Sequence, residues 1–502
     1  MVKKIFHLFL FITVFASITS CNKSYEFNIV NCGADPSGKS LSTVAIQKAI
    51  DKAHSMNGTV FFPKGEYLCG TLFLKSNIKL VFSNGSILRC SGNINDFAKY
   101  AIVDHQDREA FHLLVADSVE NITIEGQGII DGNGKAYWKE RESEFHFYPP
   151  VKPRVSPLVE IYKSTGVILR DFKIINSPGW TVHLNQSTNI IIDGITIDNN
   201  LYGPNSDGLD INGCHDVRIS NCNIKAGDDA IVVKTTKESR SSENITVSNC
   251  ILETNCVALK LGTESHHDFR YITFNNIVVK NCSRVFSLIC NDGATMEFIN
   301  ASNVVAKTNS GWILNRVIEL NANKRTENSA NGTIRNVSIQ NFQVQTDGRV
   351  LLGAANGSNI ENISINNLML EYKLLDDPFT MATKTENDIF FFKSLPLLRG
   401  ARASIAAENI ANLSISNIKV IWPTYPLDSQ WKLLTSPINW GNEAYRDNNK
   451  QNLIQGKVKP AFAVLWIKDI KTAFIDLRGT SSSEKKYPLI QQQNCSNITL
   501  NK

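Results

Sequence analysis

The stretch from Asn189 to Ile192 reads Asn-Ile-Ile-Ile, and stretches of the same form begin at Asp216, Asn244 and Tyr271. The steps between these four starts are 27, 28 and 27 residues. A fixed period of this size, with no long amphipathic helix inside it, is typical of short strands stacked coil upon coil. The repeat therefore predicts an all-β solenoid.

Four more strands of this form begin at Asn121, Asn336, Asn362 and Asn412. The step from Asn362 to Asn412 is 50 residues, which we interpret as two turns. Further asparagines stand five positions after many of the starts, at Asn221, Asn249, Asn276, Asn341, Asn367 and Asn417. Asn tolerates unusual turn angles, and stacked Asn side chains can hydrogen-bond to one another. The constant offset therefore predicts an asparagine ladder along the solenoid.

The ends of a solenoid must be covered, since an open strand edge invites pairing with another chain. From Ser42 to His54 apolar residues recur at helical spacing, which predicts a capping helix at the N-terminal end. Residues 372–401 and 422–459 interrupt the repeat with Pro, Trp and charged residues, and we expect long loops or a cap there. Residues 21–502 would then form a single β-helix domain.

The chain of 502 residues has 42% hydrophobic and 20% charged residues, the composition of a globular protein with a large core. Its 52 basic and 47 acidic residues are spread along the sequence, so nothing points to nucleic acid as a partner. We expect a monomer that needs no cofactor and no metal.

The beginning of the chain predicts export. Two lysines precede an apolar run from Ile5 to Ile18, the pattern of a signal peptide over residues 1–20. Ile18-Thr19-Ser20-Cys21 resembles the bacterial lipobox, in which the Cys is lipidated and becomes the mature N-terminus. We therefore expect Cys21 to anchor the protein in the bacterial cell envelope as its only membrane contact. An ordinary cleaved signal peptide is the alternative.

Ten cysteines remain besides Cys21. Cys222 and Cys250 each follow an Asn at the same repeat position, which suits small apolar side chains stacked inside a solenoid. We therefore expect mostly free buried thiols, although an exported chain could also form disulfides.

Consecutive repeats carry a group of three aspartates. Asp207 and Asp228 are 21 residues apart, close to one coil, and Asp229 stands beside Asp228. Adjacent carboxylates repel, which raises the pKa of one and lets a proton donor and a base coexist at neutral pH. Glycoside hydrolysis needs that combination. Asp-Asp and Asp-Gly pairs also form turns, but three carboxylates in register favour a catalytic cluster.

The sequence resembles the polygalacturonase group of glycoside hydrolases, family 28, over most of its length. The segments that carry the resemblance occur in the expected order: Gly33–Asp35, Ala45–Ile50, Val60–Tyr67, Gly126–Gly132, Trp138 and Asn176–Trp180. The Asn-Thr-Asp motif of the family is matched by Asn205-Ser206-Asp207, and its paired aspartates by Asp228-Asp229. The resemblance implies a single-stranded, right-handed parallel β-helix of the pectin-lyase-like type.

The resemblance also implies roles for these residues. Asp228 would protonate the glycosidic oxygen, while Asp207 and Asp229 would hold and activate the water. The anomeric configuration would be inverted, which requires the acid and the base to stand about 6.5 to 9.5 Å apart. The expected substrates are α-linked, galacturonic-acid-containing pectic chains of the polygalacturonan or rhamnogalacturonan type.

Two expected motifs are missing. The Gly-His-Gly segment should fall at Cys256–Thr263, which contains no His, and an Arg-x-Lys pair should fall near Phe286–Ile289. We expect other residues to contact the substrate instead, and the candidates are Asn205, Lys260, Glu264, His266 and Trp180. Lys260 could instead extend into solvent, and Trp180 could pack in the core rather than stack on a sugar.

Three more histidines lie near these segments. His183 neighbours the site in sequence, His215 is expected in a turn, and His267 could line the groove beside His266.

Two other functions stay open from the sequence. A pectate-lyase-like enzyme would use Ca²⁺ held by the aspartates and an Arg or Lys base. A non-catalytic carbohydrate-binding solenoid would bind oligosaccharides without cleaving them. Loss of activity on chelation would favour the first, and binding without hydrolysis would favour the second.

Overall fold

The computed structural model describes residues 25–100, 108–141, 147–308, 315–346, 348–372, 394–401, 403–422, 463–483, 485 and 487–502. Every strand pairing inside its sheets is parallel, and the strands wind a right-handed parallel β-helix with three faces, here called A, B and C. This architecture confirms the predicted fold class. Cys21 and most of the two predicted insertions lie outside the described residues.

Faces A and B together form a 23-stranded sheet. Face A contains Glu26–Asn28, Thr59–Phe62, Ile78–Phe82, Glu120–Gly126, Thr165–Arg170, Thr188–Asp193, His215–Ser220, Ala473–Asp476 and Ile498–Asn501. Face B contains Ser37–Leu41, Gly65–Cys69, Ser86–Cys90, Ile129–Asp131, Lys173–Ile175, Thr196–Asp198, Asn223–Ala226 and Ser481–Ser482. Six long strands run through both faces: Ser242–Thr254, Phe269–Cys282, Thr295–Thr308, Thr333–Thr346, Asn359–Tyr372 and Ala411–Ile421.

Face C is a separate 13-stranded sheet. Its strands are Leu72–Phe73, Leu114–Asp117, Val159–Tyr162, Val182–Asn185, Leu209–Asn212, Ile231–Thr235, Val257–Ser265, Arg284–Cys290, Arg316–Ala322, Arg349–Ala354, Ala403–Glu408, Ala463–Lys468 and Ile490–Gln493. Side chains alternate along each strand, so one set fills the solenoid and the other points outward from face C. The inward apolar residues of all faces join one core that extends from Ile29 to Tyr487.

The eight predicted strand starts all lie in strands of face A, which confirms the repeat. The structure corrects one spacing. Ile363 pairs directly with Leu413, so the 50 residues between Asn362 and Asn412 make one coil with an insertion, not two turns.

The predicted ladder exists, and the strand starts form a second one. Asn341 donates a hydrogen bond to Asn303 (2.9 Å) and accepts one from Asn367 (2.9 Å). Asn362, at a strand start, donates to Asn336 in the same way (3.0 Å). All five have φ between 55° and 58°, a left-handed conformation that Asn tolerates better than most residues.

The predicted capping helix is present as α1, Thr43–Met56, and buries Ile46, Ala49, Ile50 and Ala53 against the first coils. A second helix, α2, spans Pro396–Gly400, and three short 3-10 helices span Val30–Cys32, Ile94–Asp96 and Gly134–Tyr137. Across the described ranges, none of these helices is long and apolar enough to cross a bilayer. None of the ten described cysteines forms a disulfide, and eight of them are buried.

Candidate active site

The three predicted catalytic aspartates lie together at the leading edge of face C. Asp207 precedes the strand Leu209–Asn212, and Asp228 and Asp229 precede the neighbouring strand Ile231–Thr235. The main-chain N–H of Gly208 donates to the carbonyl oxygen of Asp229 (2.9 Å), which ties the two coils together. All three carboxyl groups are buried. The sequence therefore correctly predicted that these residues meet on adjacent rungs.

Ser206 and Gly227 fix the two loops that carry the aspartates. The Ser206 hydroxyl donates to the carbonyl oxygen of Gly203 (2.9 Å) and accepts from the Gly227 N–H (3.1 Å). A Cβ at position 227 would stand 2.4 Å from the Gly203 oxygen, so only glycine fits this contact. The Asn205-Ser206-Asp207 segment is thus held by its central residue.

Lys260 binds one of the aspartates directly. Its Nζ lies 2.7 Å from Oδ2 of Asp229, and the Val257 N–H donates to Oδ1 of the same carboxylate (3.2 Å). Lys260 is 7% exposed, so the alternative that it extends into solvent is wrong. Its ammonium instead neutralises a carboxylate of the cluster.

A second lysine in the cluster was missed from the sequence. Lys234 Nζ lies 3.0 Å from Oδ1 of Asp210 and 3.9 Å from Oδ2 of Asp207. It also stands 4.0 Å above the ring of Trp180. The signal was available, because Lys234 interrupts the apolar strand Ile231–Thr235 as Lys260 interrupts the next strand on face C.

These charges push the pKa values of two adjacent carboxyl groups apart. Burial, followed by the charge of Asp229, raises the pKa of Asp228 to about 7. Burial would also raise the pKa of Asp229, but the charges of Lys260, Lys234 and Arg284 together hold this pKa below its usual value. Asp228 therefore keeps a proton near neutral pH while Asp229 is ionised.

The pKa of Asp207 is shifted in the same direction as that of Asp228, and opposite to that of Asp229. Burial, followed by the charges of Asp210 and Asp228, raises the pKa of Asp207 well above its usual value, despite Lys234. Among the three aspartates, Asp229 is thus the group held ionised.

Trp180 is buried beside the cluster. Its side chain is only 2% exposed, and Lys234 lies over one face of its ring. A sugar stacking on that face would have to displace Lys234, and Trp180 lies outside the hydrophobic core of the solenoid. Asn205 is half-buried, and its Oδ1 accepts a hydrogen bond from the buried Arg154 (3.0 Å).

Glu264, near the end of the strand Val257–Ser265, and His266, just after that strand, belong to a charged group. Arg325 binds Asp292 through two nitrogens (2.7 Å each) and lies 3.7 Å from Glu264. His266 is exposed, with Nε2 3.8 Å from Asp292. The charge of Glu264 also raises the pKa of Lys234, which links this group to the cluster.

A buried ionic network lies upstream on face C. Glu160 is paired with Arg108 (2.8 Å) and with Nδ1 of His183 (2.9 Å). Burial opposes ionisation of Glu160, but His183 and Arg108 lower its pKa to about 2. His183 and Asp210 are paired residues of adjacent strands, so the network adjoins the cluster.

The other two histidines do not join the cluster. His215 begins a strand of face A rather than occupying a turn, so that prediction is wrong. His267 lies 3.1 Å from the carbonyl oxygen of Lys237.

Arg284 lies just before the segment where the Arg-x-Lys pair is missing. It is buried and paired with Glu319 (3.2 Å), and its charge also lowers the pKa of Asp229. Arg284 stands two residues before Phe286, and its place beside the cluster was not predicted from the sequence.

Asp228, Asp229 and Cys256 could in principle share a metal ion, since their ligand atoms lie within 4.8 Å of one another. Burial, followed by Asp229 and Asp228, raises the pKa of the Cys256 thiol well above its usual value, so it keeps its proton. Lys260 already binds Asp229. Ca²⁺ prefers several oxygen ligands, so these donors do not fit it.

Comparison with known proteins agrees with this geometry. The model of the glycosyl hydrolases family 28 matches residues 55–386. A probable polygalacturonase of Vitis vinifera is 30% identical over 230 residues, which are 43% of this chain and 46% of that protein. The chain thus spans less than half the length of that relative.

An endo-polygalacturonase of Pectobacterium carotovorum subsp. carotovorum is 23% identical over 356 residues, covering 68% of this chain and 87% of that protein. The structure of an exopolygalacturonase from Thermotoga maritima superposes with a TM-score of 0.60 at 23% identity, covering 79% of this chain and 91% of the other. The structural likeness shows the shared fold.

The chain combines a right-handed parallel β-helix with a buried carboxylate cluster, and its family match indicates an O-glycosyl hydrolase. The family match covers well over half of the chain. The chain belongs to the glycosyl hydrolases family 28.

Proposed function

We propose that the protein hydrolyses α-linked, galacturonic-acid-containing pectic chains with inversion. The observation that carries this proposal is the opposite shift of two adjacent pKa values, that of Asp228 to about 7 and that of Asp229 below its usual value. Asp228 donates its proton to the glycosidic oxygen. Asp207 and Asp229 hold and activate the attacking water. One oxygen each of Asp228 and Asp229 lie within 4.8 Å of each other, which is closer than the separation expected of an inverting pair.

The charges around the cluster support a finer proposal about the substrate. Lys260 is paired with Asp229, Lys234 with Asp210, Arg284 with Glu319 and Arg325 with Asp292. A substrate carboxylate would have to displace one of these partners to bind one of these cations. We propose that the cleft therefore favours a mixed pectic chain, of the rhamnogalacturonan type, over plain polygalacturonate.

The deciding experiment is a screen of galacturonan and rhamnogalacturonan oligosaccharides, with the anomers of fresh products followed by NMR. We expect rhamnogalacturonan fragments to be cleaved faster, with the inverted anomer appearing first. Initial release of the retained anomer would contradict the inverting mechanism. A faster reaction on unbranched galacturonan would contradict only the substrate preference.

We also propose that the protein is an exported monomer, anchored in the cell envelope by lipid on Cys21. The support is the sequence pattern before Cys21, together with the position of the first described strand, Glu26–Asn28, five residues later. That strand lies at the end of the solenoid capped by α1, so this end would stand nearest the membrane. Fractionation of wild type and Cys21→Ser, with mass spectrometry of the N-terminal peptide, tests the anchor. A soluble, unlipidated wild type would contradict it.

A further inference from the structure

Two aromatic residues interrupt the asparagine ladder at the strand starts of face A. Asn244 donates to Asp216 (3.0 Å), and Asn362 donates to Asn336 (3.0 Å). Between these two pairs the ladder position is occupied by Tyr271 in one coil and by a phenylalanine in the next. Strand register places that phenylalanine, Phe298, opposite Tyr271, because the residues on either side of the two are paired.

Tyr271 and Phe298 keep the left-handed backbone of the ladder, with φ of 57° and 54°. Asn adopts this conformation readily, whereas it is a true outlier for a bulky side chain. The rings are 54% and 48% exposed, so burial does not compensate for the strain. A bulky residue that keeps an unfavourable backbone conformation without gaining packing most often has a function.

The two rings form one rigid apolar surface. Their centroids are 5.4 Å apart and their planes are inclined by 10°, so they stack along the solenoid axis. Ladder amides flank the stack. Among the described residues, the side chain of Tyr271 does not donate a hydrogen bond to Oδ1 of Asn244, as an Asn at this ladder position would. The side chain of Phe298 likewise offers no acceptor for Nδ2 of Asn336. An acceptor and a donor are thus left beside an aromatic surface.

The charges next to the rings contain more carboxylates than guanidinium groups. Arg270, beside Tyr271, is paired with Glu243 (3.3 Å), Asp268 and Glu297 (3.0 Å). Arg335 is paired with Glu297 (2.8 Å) and lies 3.9 Å from Glu361. Such a row does not attract a carboxylate, so it suits the neutral sugars of a mixed pectic chain. The open groups are aromatic carbons and amides, which match the C–H face and the hydroxyls of a sugar ring.

We propose that Tyr271 and Phe298 form a surface carbohydrate-binding site, separate from the cleft, that holds a polysaccharide chain. This inference rests on the proposed function, since it assumes a pectic polymer as substrate. The apolar surface is limited to two rings, and the neighbouring outward residue Thr273 is polar. A stable protein interface buries at least about 1,000 Å² with good complementarity, so two rings suit a sugar better than a second protein.

The two rings lie in the coil that follows the Lys260 strand and in the next one. A chain bound there raises the local concentration of polymer at the enzyme, as linked binding sites do. Short oligosaccharides would not benefit, because they cannot reach both places.

The test replaces both rings by the ladder residue, as Tyr271→Asn with Phe298→Asn. Binding is measured by affinity electrophoresis in gels that contain rhamnogalacturonan or pectin, with Asp228→Asn in every chain so that the polymer stays intact. We expect about tenfold weaker binding after loss of the stacking surface, and an unchanged or higher Tm because the strain is relieved. In chains with Asp228 intact, turnover of short oligosaccharides should not change.

The matched control is Val278→Asn with Val305→Asn. These two residues lie in the same coils, pair in register and are 46% and 53% exposed, but they are not aromatic and lie on face B. The polysaccharide in the gel should retard this valine variant as strongly as it retards the parent chain. The proposal fails if the ring variant is retained as strongly as its parent, or if the valine variant loses as much.

Size-exclusion chromatography of both double variants tests whether the rings bind a second protein instead of a sugar. A dimer that disappears with the rings would assign them to a protein contact and overturn the proposal. Absence of hydrolysis on every pectic substrate would instead contradict the proposed function, and the binding result can be read independently of it.

Discussion

Nζ of Lys260 lies 2.7 Å from Oδ2 of Asp229, and no comparable cation contacts the carboxyl of Asp228 among the described residues. The two aspartates are neighbours in sequence and both are buried. Burial raises the pKa of both carboxyl groups, and the contact with Lys260 helps to offset this effect at Asp229. Lys260, which the sequence offered as a substrate contact, therefore also separates the pKa values of the two aspartates.

Asp228→Asn should lower kcat by about 10²- to 10⁴-fold, the usual contribution of a general acid. It should also stabilise the protein at high pH. The folded-state pKa of Asp228 is about 7 against 3.8 for the model carboxyl, so stability falls as pH rises between these values. We expect a rise in Tm that is larger at pH 8 than at pH 5, measured by calorimetry. The control Asp171→Asn changes an exposed carboxyl and should alter neither quantity.

Lys260→Met should shift the pH profile of kcat/KM. We expect wild type to lose activity as pH rises through about 7, where Asp228 loses its proton, and at low pH, where Asp229 gains one. Lys260 lowers both pKa values, so both limbs should move to higher pH without it. Lys260→Arg should restore the profile in part, and Lys225→Met, near the exposed Asp198, should leave it unchanged. A uniform loss of rate with unshifted limbs would show that Lys260 acts only on structure or on substrate.

Chelation should leave activity unchanged. Asp229 is bound by Lys260, and the Cys256 thiol keeps its proton, so these groups are poor ligands for a divalent cation. Activity is measured with and without EDTA, while ultraviolet absorbance reports any unsaturated product. Loss of activity on chelation, together with rising absorbance, would favour the lyase alternative.

Asn341→Ala should destabilise the fold by about 1 to 3 kcal/mol, because Ala is strained in the left-handed region and two ladder bonds are lost. Asn341→Gly removes the same bonds but tolerates φ of 58°. We expect the free energy of unfolding, measured with a chemical denaturant, to be highest for wild type, lower for Asn341→Gly and lowest for Asn341→Ala. Equal loss in both variants would mean that hydrogen bonding, not backbone conformation, is what the ladder contributes.

Much of the fold could be predicted from local pattern. The 27- and 28-residue steps and the alternation of apolar residues identify the coils, since each coil repeats the same local requirements. The insertion between Asn362 and Asn412 was misread, because a loop of one coil's length cannot be told from a coil by spacing alone.

The sequence by itself determined the all-β solenoid, the capping helix and the meeting of Asp207 with Asp228 and Asp229, because period and register fix which residues share a rung. That the strands are parallel was implied by the family resemblance. Only the tertiary structure decided which of the aspartates are ionised and which keep a proton. Burial and the contacts of Lys260 with Asp229 and of Lys234 with Asp210 set the pKa values, and these depend on distances between coils. The sequence left Trp180 open between a sugar-stacking surface and core packing, and the structure places Lys234 over its ring.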